Sequence, residues 1–501
     1  MNDRVQDQAG ASVTLQPARL PIDPRKTLIL AIGLAVFLGV YFSPPWAVAI
    51  DPAGKQFVLS HEGKAAIGLF LMAGIWWVFE VLPIGVTAIA IGVFQALFMI
   101  RPAKEAFRDF MDPAVMFIFG SIVIGLAFSR SGLTKRIAYR MLAVVGERTD
   151  LILLGAMVVT AALAHLMAHT AVAATMFPIL LAIYALYGEG DKPTRFGKAL
   201  FIGMAYAAGA GSIVTFLGAA RGPAAAGMYK EFTGQEIGFF ELTSYMFLIG
   251  WGMVFLIWLY LKTFLKPEKP VIPGLKDTVH RLHSAMGPMT TQERLVIAIV
   301  ATLVLVMAVK SAIPWLAPID RAAILLTTTL LFFILGVLTV RDLEEVPWNI
   351  VLLFSGAMSI GFCLWQTGAA EWMAVQWLGL LKQAHWWTFV MGIGAFVLIM
   401  TNFIMNVAAI AVVLPVALVI ARYLGVAPEV IVYTALVTAG MPFLLLIGAA
   451  PNAIAYDSKQ FSPGEFFRHG IPMSLLLLVV LGVAVVTLWP WLGMSILLDQ
   501  R

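Results

Sequence analysis

Charge and cysteine are both scarce in this sequence. Only 12% of its 501 residues are Asp, Glu, Lys or Arg, and Cys363 is the single cysteine. A soluble chain carries about a quarter charged residues, so a water-exposed globular surface is excluded. One thiol in an apolar run rules out a disulfide framework and leaves the redox compartment open. No small-residue cleavage site follows the first apolar run, Thr27 to Tyr41, so no cleavable signal peptide is expected. The net charge of +5 is no nucleic-acid signal, because the basic residues lie in loops between apolar runs.

Apolar sequence is abundant: 61% of residues are hydrophobic and the mean hydropathy is +0.91. Runs long enough to span a bilayer, about 20 residues, start near Lys26, Lys64, Ile84 and Pro113, after a cytoplasmic tail over 1–26. A basic amphipathic segment, Ser131 to Val145 with Lys135, Arg136 and Arg140, belongs on the membrane surface. A hairpin over 151–187, a broken span over 198–240 and a full span from Ser244 to Phe264 complete a first repeat, 27–265. The polar stretch 266–293, opening with Pro267, Pro270 and Pro273, reads as a cytoplasmic linker.

The second repeat, 294–501, has the same order. Spans start near Leu295, Ala322 and Trp348, and a surface segment covers 369–381. A hairpin over 385–422, a broken span over 428–456 and a last span from Ile471 to Leu492 follow. Gly125 pairs with Gly361 and Gly132 with Gly368, each 236 residues on. With the N-terminus inside, inner loops hold 21 Lys and Arg and outer segments 11, Arg221 completing the 33. An odd number of spans separates the halves. The expected fold is therefore an all-α polytopic membrane protein, an inverted repeat of five spans plus one re-entrant hairpin each. It has about eleven transmembrane helices, broken at mid-membrane, an architecture typical of secondary transporters.

Polar residues interrupt both hairpins at matched places. Adding 237 to His165 and His169 gives Asn402 and Asn406, and each second residue precedes a proline, Pro178 or Pro415, by nine. Polar groups at i and i+4 are costly in lipid and mark function. Two further breaks, Gly218 to Gly222 and Gly448 to Asn452, let helices stop inside the bilayer and turn free backbone N–H groups toward a cavity. Arg221 lies in the first of these. It reads as a bidentate clamp for a carboxylate, sulfonate or sulfate, or as a structural arginine that reaches the outer interface or pairs with Glu231. His165 and His169 lack the adjacent acid and third ligand of a zinc-protease helix. Each reads as a proton carrier, titrating near its reference pKa of about 6.5, or as a fixed hydrogen-bonding group. Glu80, just before Pro83, reads as a helix-end cap, with a coupling role as the alternative.

These residues resemble the divalent-anion:sodium symporter family, the sodium-coupled dicarboxylate, citrate and sulfate transporters. The likeness rests on Glu80-Val81-Leu82-Pro83 with Thr87-Ala88, on Trp348 followed by Phe354-Ser355-Gly356, and on the four interruptions. It implies scaffold and transport subdomains, an elevator motion and a homodimer in the inner (plasma) membrane. It also implies a site split between the repeats. Substrate contacts map to His169, Thr170, Gly218, Arg221, Asn406, Val407, Ala450, Pro451 and Asn452, and cation coupling to His165, Ala168, Thr401, Asn402 and Gly448.

The departures from the family pattern are specific. The first cation site maps to Ala164, Ala168, His169 and Gly218, where serine oxygens are lost and an imidazole replaces an amide. The second maps to Thr401, Ile404, Asn406 and Gly448 and keeps its oxygens, so sodium is expected at Thr401, Asn406 and Gly448. Arg221 stands where the family has proline. The expected function is secondary transport of a small organic or sulfur-containing dianion. Na+ or H+ is the coupling ion, no organic cofactor is needed, and proton-coupled or exchange transport is the alternative. Neither a channel's continuous polar stripe nor an enzyme's nucleophile–base pair is present.

Overall fold

Apolar runs become helices here because nothing else satisfies the backbone in lipid. Their ends are set by capping residues. The computed structural model describes residues 24–50, 55–79, 81–188, 192–310, 313, 315–381, 385–403 and 405–498. The tail before residue 24, Glu80 and Ile404 lie outside these described residues.

In chain order the first half comprises α1 (Pro24–Tyr41), α2 (His61–Val78), α3 (Ile84–Leu97), α4 (Ala103–Arg108), α5 (Pro113–Ser131) and α6 (Leu133–Val145). Then come α7 (Thr149–Leu163), α8 (His169–Tyr187), α9 (Arg195–Gly211), α10 (Arg221–Thr233) and α11 (Phe239–Phe264). After α12 (Leu275–Ala285) the second half runs α13 (Thr291–Val309), α14 (Arg321–Ile334), α15 (Val340–Glu344), α16 (Trp348–Gln366), α17 (Ala369–Leu381) and α18 (Trp386–Phe403). It ends with α19 (Asn406–Tyr423), α20 (Pro428–Ala439), α21 (Ala450–Tyr456), α22 (Pro463–Val483) and α23 (Trp489–Trp491). A two-residue ladder, Ala49–Ile50 against Gln56–Phe57, is the only sheet among the described residues.

Caps explain several boundaries. Asp112 accepts from the Ala114 amide (2.8 Å) one residue before Pro113, a residue suited to a first helical position. Thr290 with Glu293 and Ser462 with Glu465 form reciprocal boxes at the starts of α13 and α22. Nine helices among the described residues are long and apolar enough to cross a membrane, where about eleven were expected. The two counts cover different helices: the expected spans α3, α14 and α20 are apolar but shorter, while the hairpin helices α8, α18 and α19 are among the nine.

Element order recurs from α3–α11 to α14–α22, with Ile84 and Arg321, and His169 and Asn406, each 237 residues apart. Packing is reciprocal. Helix α3 packs on α16 and α14 on α5; α10 packs on α19 and α21 on α8. The buried core therefore passes between the halves and does not divide into two separate cores.

The segment between the halves is more than a tether. It contains α12, which packs on α6, and its Glu268 closes the start of α9. The Glu268 carboxylate accepts from the amides of Arg195 (2.7 Å) and Phe196 (3.3 Å), the first two residues of that helix, and from the Tyr187 hydroxyl (3.2 Å). Partial burial pushes this carboxyl upward, yet the Arg195 and Phe196 amides hold it below its ordinary value of 4.5. A depressed carboxylate stabilises the fold above its ordinary value and loses that effect as pH falls through its folded value. Removing a cap of this kind typically costs about 1 kcal/mol. Thermal unfolding of Glu268→Gln is thus expected at lower temperature than the parent at pH 7, with the gap closing below pH 4.5. A gap that stays constant with pH would contradict the capping role.

Candidate functional site

Both hairpins turn by stopping one helix and starting another within a few residues. Helix α7 ends at Leu163 and α8 begins at His169, with Ala168 in the N-cap position. Nearby, α9 ends at Gly211 and α10 begins at Arg221, so residues 212–220 form a non-helical bridge. The unpaired backbone groups of both breaks satisfy each other. The His169 amide donates to the Gly218 carbonyl (3.0 Å), and its Nδ1 lies 3.3 Å from the same oxygen. Thr215 Oγ1 donates to the His165 carbonyl (2.5 Å), and His165 Nδ1 donates to the Gly211 carbonyl (2.8 Å). A carbonyl accepts only, so Nδ1 carries the proton. Gly218 is required by proximity: a Cβ there would sit 2.3 Å from the Ala164 oxygen and 2.7 Å from that of Ser212.

The second half makes the same junction with different groups. Asn402 Oδ1 accepts from the amides of Leu444 (2.8 Å) and Leu445 (3.1 Å), while its Nδ2 donates to the Leu398 carbonyl (2.7 Å). Thr401 Oγ1 donates to the Ala439 carbonyl (3.2 Å) at the end of α20. Asn452 Nδ2 donates to the carbonyls of Pro442 (2.8 Å) and Leu445 (3.2 Å). A Cβ on Gly448 would lie 3.0 Å from the Thr401 carbonyl oxygen. Thr401 is Ala164 plus 237, so each hairpin tip meets the glycine of its own half's break.

The two broken spans touch where Gly209 of α9 faces the Gly440 carbonyl beyond α20, 3.0 Å from an added Cβ. Arg221 reaches this crossing. Its Nη2 donates to Ser212 Oγ (2.7 Å), which in turn donates to the Gly209 carbonyl (2.7 Å). A Cβ on Gly440 would stand 2.8 Å from the same nitrogen. Arg221 is 1% exposed, and its Nη1 is buried without a hydrogen-bond partner. No carboxylate forms an ion pair with it among the described residues. The alternatives of an interfacial arginine or an Arg221–Glu231 pair are therefore not what forms. Burying a guanidinium is costly unless its donors meet acceptors.

The remaining expected residues fall into two groups. Thr170, whose hydroxyl makes no hydrogen bond among the described residues, and Asn406 start α8 and α19 beside the breaks. Val407 is buried next to Asn406, and Ala450 and Pro451 open the short α21. His165, Asn402 and Asn452 are instead engaged with the protein. His165 lies edge-on to Trp251 of α11 at 5.5 Å, and its Nε2 is buried without a partner. Ser212, Gly440 and Trp251 were not singled out as site residues from sequence. Ser212 alone carries a signal, since it closes the small-residue run Gly209-Ala210-Gly211-Ser212 inside the broken span over 198–240.

No group of three or more His, Cys, Asp or Glu able to hold a metal ion occurs among the described residues. The crossing instead offers carbonyls, hydroxyls and amides, donors suited to a hard monovalent cation, and helix starts suited to an anion.

A many-helix membrane chain broken twice at its centre is a transporter architecture. The transmembrane region of the sodium:sulfate symporters matches residues 27–495, and the chain belongs to that family. It is 24% identical over 453 residues to the sodium-dependent dicarboxylate transporter SdcS of Staphylococcus saprophyticus, covering 86% of this chain and 87% of that one. SdcS of Staphylococcus aureus is likewise 24% identical over 467 residues, with the same shares covered. In fold the chain is similar to Neisseria gonorrhoeae MtrF, described among antimetabolite efflux pumps (TM-score 0.55, 14% identity, 92% of this chain and 93% of that one). It is also similar to the Alcanivorax borkumensis YdaH transporter (TM-score 0.52, 13% identity, 93% and 97%).

Gly218→Ala must force apart backbone of the hairpin tip and the bridge, not a flexible side chain. Overpacking of this kind costs about 1–3 kcal/mol, and the variant is expected to unfold at lower temperature than the parent. An unchanged melting temperature would contradict the close junction.

Proposed function

We propose that the protein is a sodium-coupled secondary transporter of a small dianion, a dicarboxylate, sulfonate or sulfate, held where the two broken spans cross. One observation carries this reading: Arg221 is buried at the crossing with a free Nη1 and, among the described residues, no ion-pair partner. An arginine fork recognises carboxylates and sulfate-like groups with paired, charge-assisted hydrogen bonds. The starts of α8, α10 and α19 add partial positive charge. His169, Thr170, Asn406 and Val407 would line the anion, with Gly218 and the α21 start, Ala450 to Asn452, holding the breaks open around it. The names of the staphylococcal relatives support a dicarboxylate as substrate.

Sodium would bind in the second half, at Thr401, Asn406 and the Gly448 carbonyl. Thr401 donates its proton to Ala439, which leaves the lone pairs of its oxygen to a cation. The first half has no hydroxyl at Ala164 or Ala168 and presents an imidazole at His169. Reciprocal packing of α10 on α19 and α21 on α8 supports an inverted repeat. The hairpins and broken spans would then move as one transport unit against a scaffold of α1–α6 and α13–α17. That scaffold would form the homodimer, in the inner membrane with the N-terminus cytoplasmic.

Purified protein in liposomes tests the reading through counterflow of labelled succinate and sulfate under a sodium gradient. Saturable uptake with a sodium Hill coefficient near one is expected, and Thr401→Val should raise the sodium concentration needed. Arg221→Ala should abolish uptake and remain folded, since hydrogen bonds to a charged group contribute about 1.5–3 kcal/mol. Arg221→Lys should rescue poorly. Unsaturable flux, or unchanged anion affinity in Arg221→Ala, would overturn the assignment.

A further inference from the structure

A cavity of about 340 Å³ lies beside α10, the helix that Arg221 begins. Its walls come from both halves: Asp112 and Phe117 of the α5 region, Lys230 of α10, and Arg321 at the start of α14. In the expected orientation all four lie at the outer face. Pro223 and Phe216 also line the cavity. Phe216 belongs to the bridge between α9 and α10, and its Cδ1 would stand 3.1 Å from a Cβ on Gly222, the residue after Arg221. One aromatic ring thus lines the cavity and also packs beside the backbone that follows the buried, incompletely bonded Arg221 guanidinium.

That ring is held from the other half of the chain. The Arg321 guanidinium lies over Phe216, 5.1 Å from the ring centroid. Its own position is fixed by donation from Nη1 to the Ile237 carbonyl and by Glu236, 3.7 Å from Nη2. Glu236 also holds Lys230, with Nζ 2.5 Å from its carboxylate. Phe216 is 2% exposed and meets Phe117 and Phe239 edge-on or tilted, at 6.2 and 6.1 Å. A side chain of α14 thereby fastens a loop that, in the reading above, belongs to the moving unit.

We propose that Phe216 is the gate between the outer cavity and the Arg221 site, and that Arg321 is the latch that keeps it closed. This rests on Arg221 being the anion site. In the closed arrangement the cavity admits water and ions as far as Phe216. Swinging the ring aside would join the cavity to Nη1 and expose the crossing. An arriving anion would favour that step twice, by competing with Glu236 for Arg321 and by completing Arg221. Arg321 is then a positioning residue for transport, acting through the ring it covers.

The test uses accessibility and needs no substrate. Cys363, the single cysteine, is fully buried and is replaced by serine. Ala219→Cys, 5% exposed in the parent bridge, then reports access by a membrane-impermeant maleimide added from outside. Alkylation is expected to be slow in this background. It should be about tenfold faster with Phe216→Ala or Arg321→Gln, in line with loss of a desolvated cation–π contact, and Arg321→Lys should restore most of the protection. Phe216→Leu, which retains bulk without the ring's charge distribution, should fall between and covers the chance that the alanine variant misfolds. Unchanged alkylation in folded Phe216→Leu and Arg321→Gln proteins would overturn the gate. Failure of the parent to show saturable counterflow would instead remove the anion-site reading, an outcome the alkylation rates do not depend on.

Discussion

Backbone that leaves the helix inside a bilayer must find partners for every exposed N–H and C=O, because lipid offers none. This chain meets that constraint four times, at two hairpin tips and two broken spans, by pairing the interruptions with each other. Gly218 accepts from His169, Gly211 from His165, and Asn402 from the Leu444 and Leu445 amides. The glycines at the junctions leave space for backbone to meet backbone. What remains after this pairing is a small region at the crossing of α9 and α20 where donors converge and one, Arg221 Nη1, is left without a protein partner. The candidate site is thus a by-product of how the fold satisfies its own breaks.

Much of this is legible in the sequence. The starts of α3, α5 and α16 coincide with Ile84, Pro113 and Trp348, because hydrophobic runs bounded by capping residues or prolines define membrane helices closely. The 237-residue spacing by itself links His169 with Asn406, since a repeat keeps its register where polar groups are expensive. The number of full-length spans is less legible. Breaks shorten α7 and α20, and a run of apolar residues does not reveal where its helix stops.

Side-chain reach is the least legible. His165 and Asn402 occupy equivalent positions, yet one ring turns against Trp251 and the other side chain fastens residues 444–445. Arg221 could be placed in a break, but not at Ser212 and Gly440, because that direction depends on how two distant helices cross. Glu268 gave no hint of capping α9 from 73 positions away. Periodicity reports the face of a helix; the partner across a tertiary contact follows only from packing.

Charge shapes the rest. Among the described residues several ion pairs lie in exposed positions at the helix ends, such as Arg130 with Glu345 (2.5 Å) and Arg148 with Asp150 (3.0 Å), where water and headgroups moderate their cost. Arg221 has no such relief, so a carried anion and the guanidinium should stabilise each other at the centre. The most direct measurement is a structure of the protein determined with sodium and saturating succinate, and again with sulfate. The account predicts density for one of these anions within hydrogen-bond distance of Arg221 Nη1, between the starts of α8 and α19. An anion bound only elsewhere, with Arg221 still bonded to Ser212 alone, would contradict it.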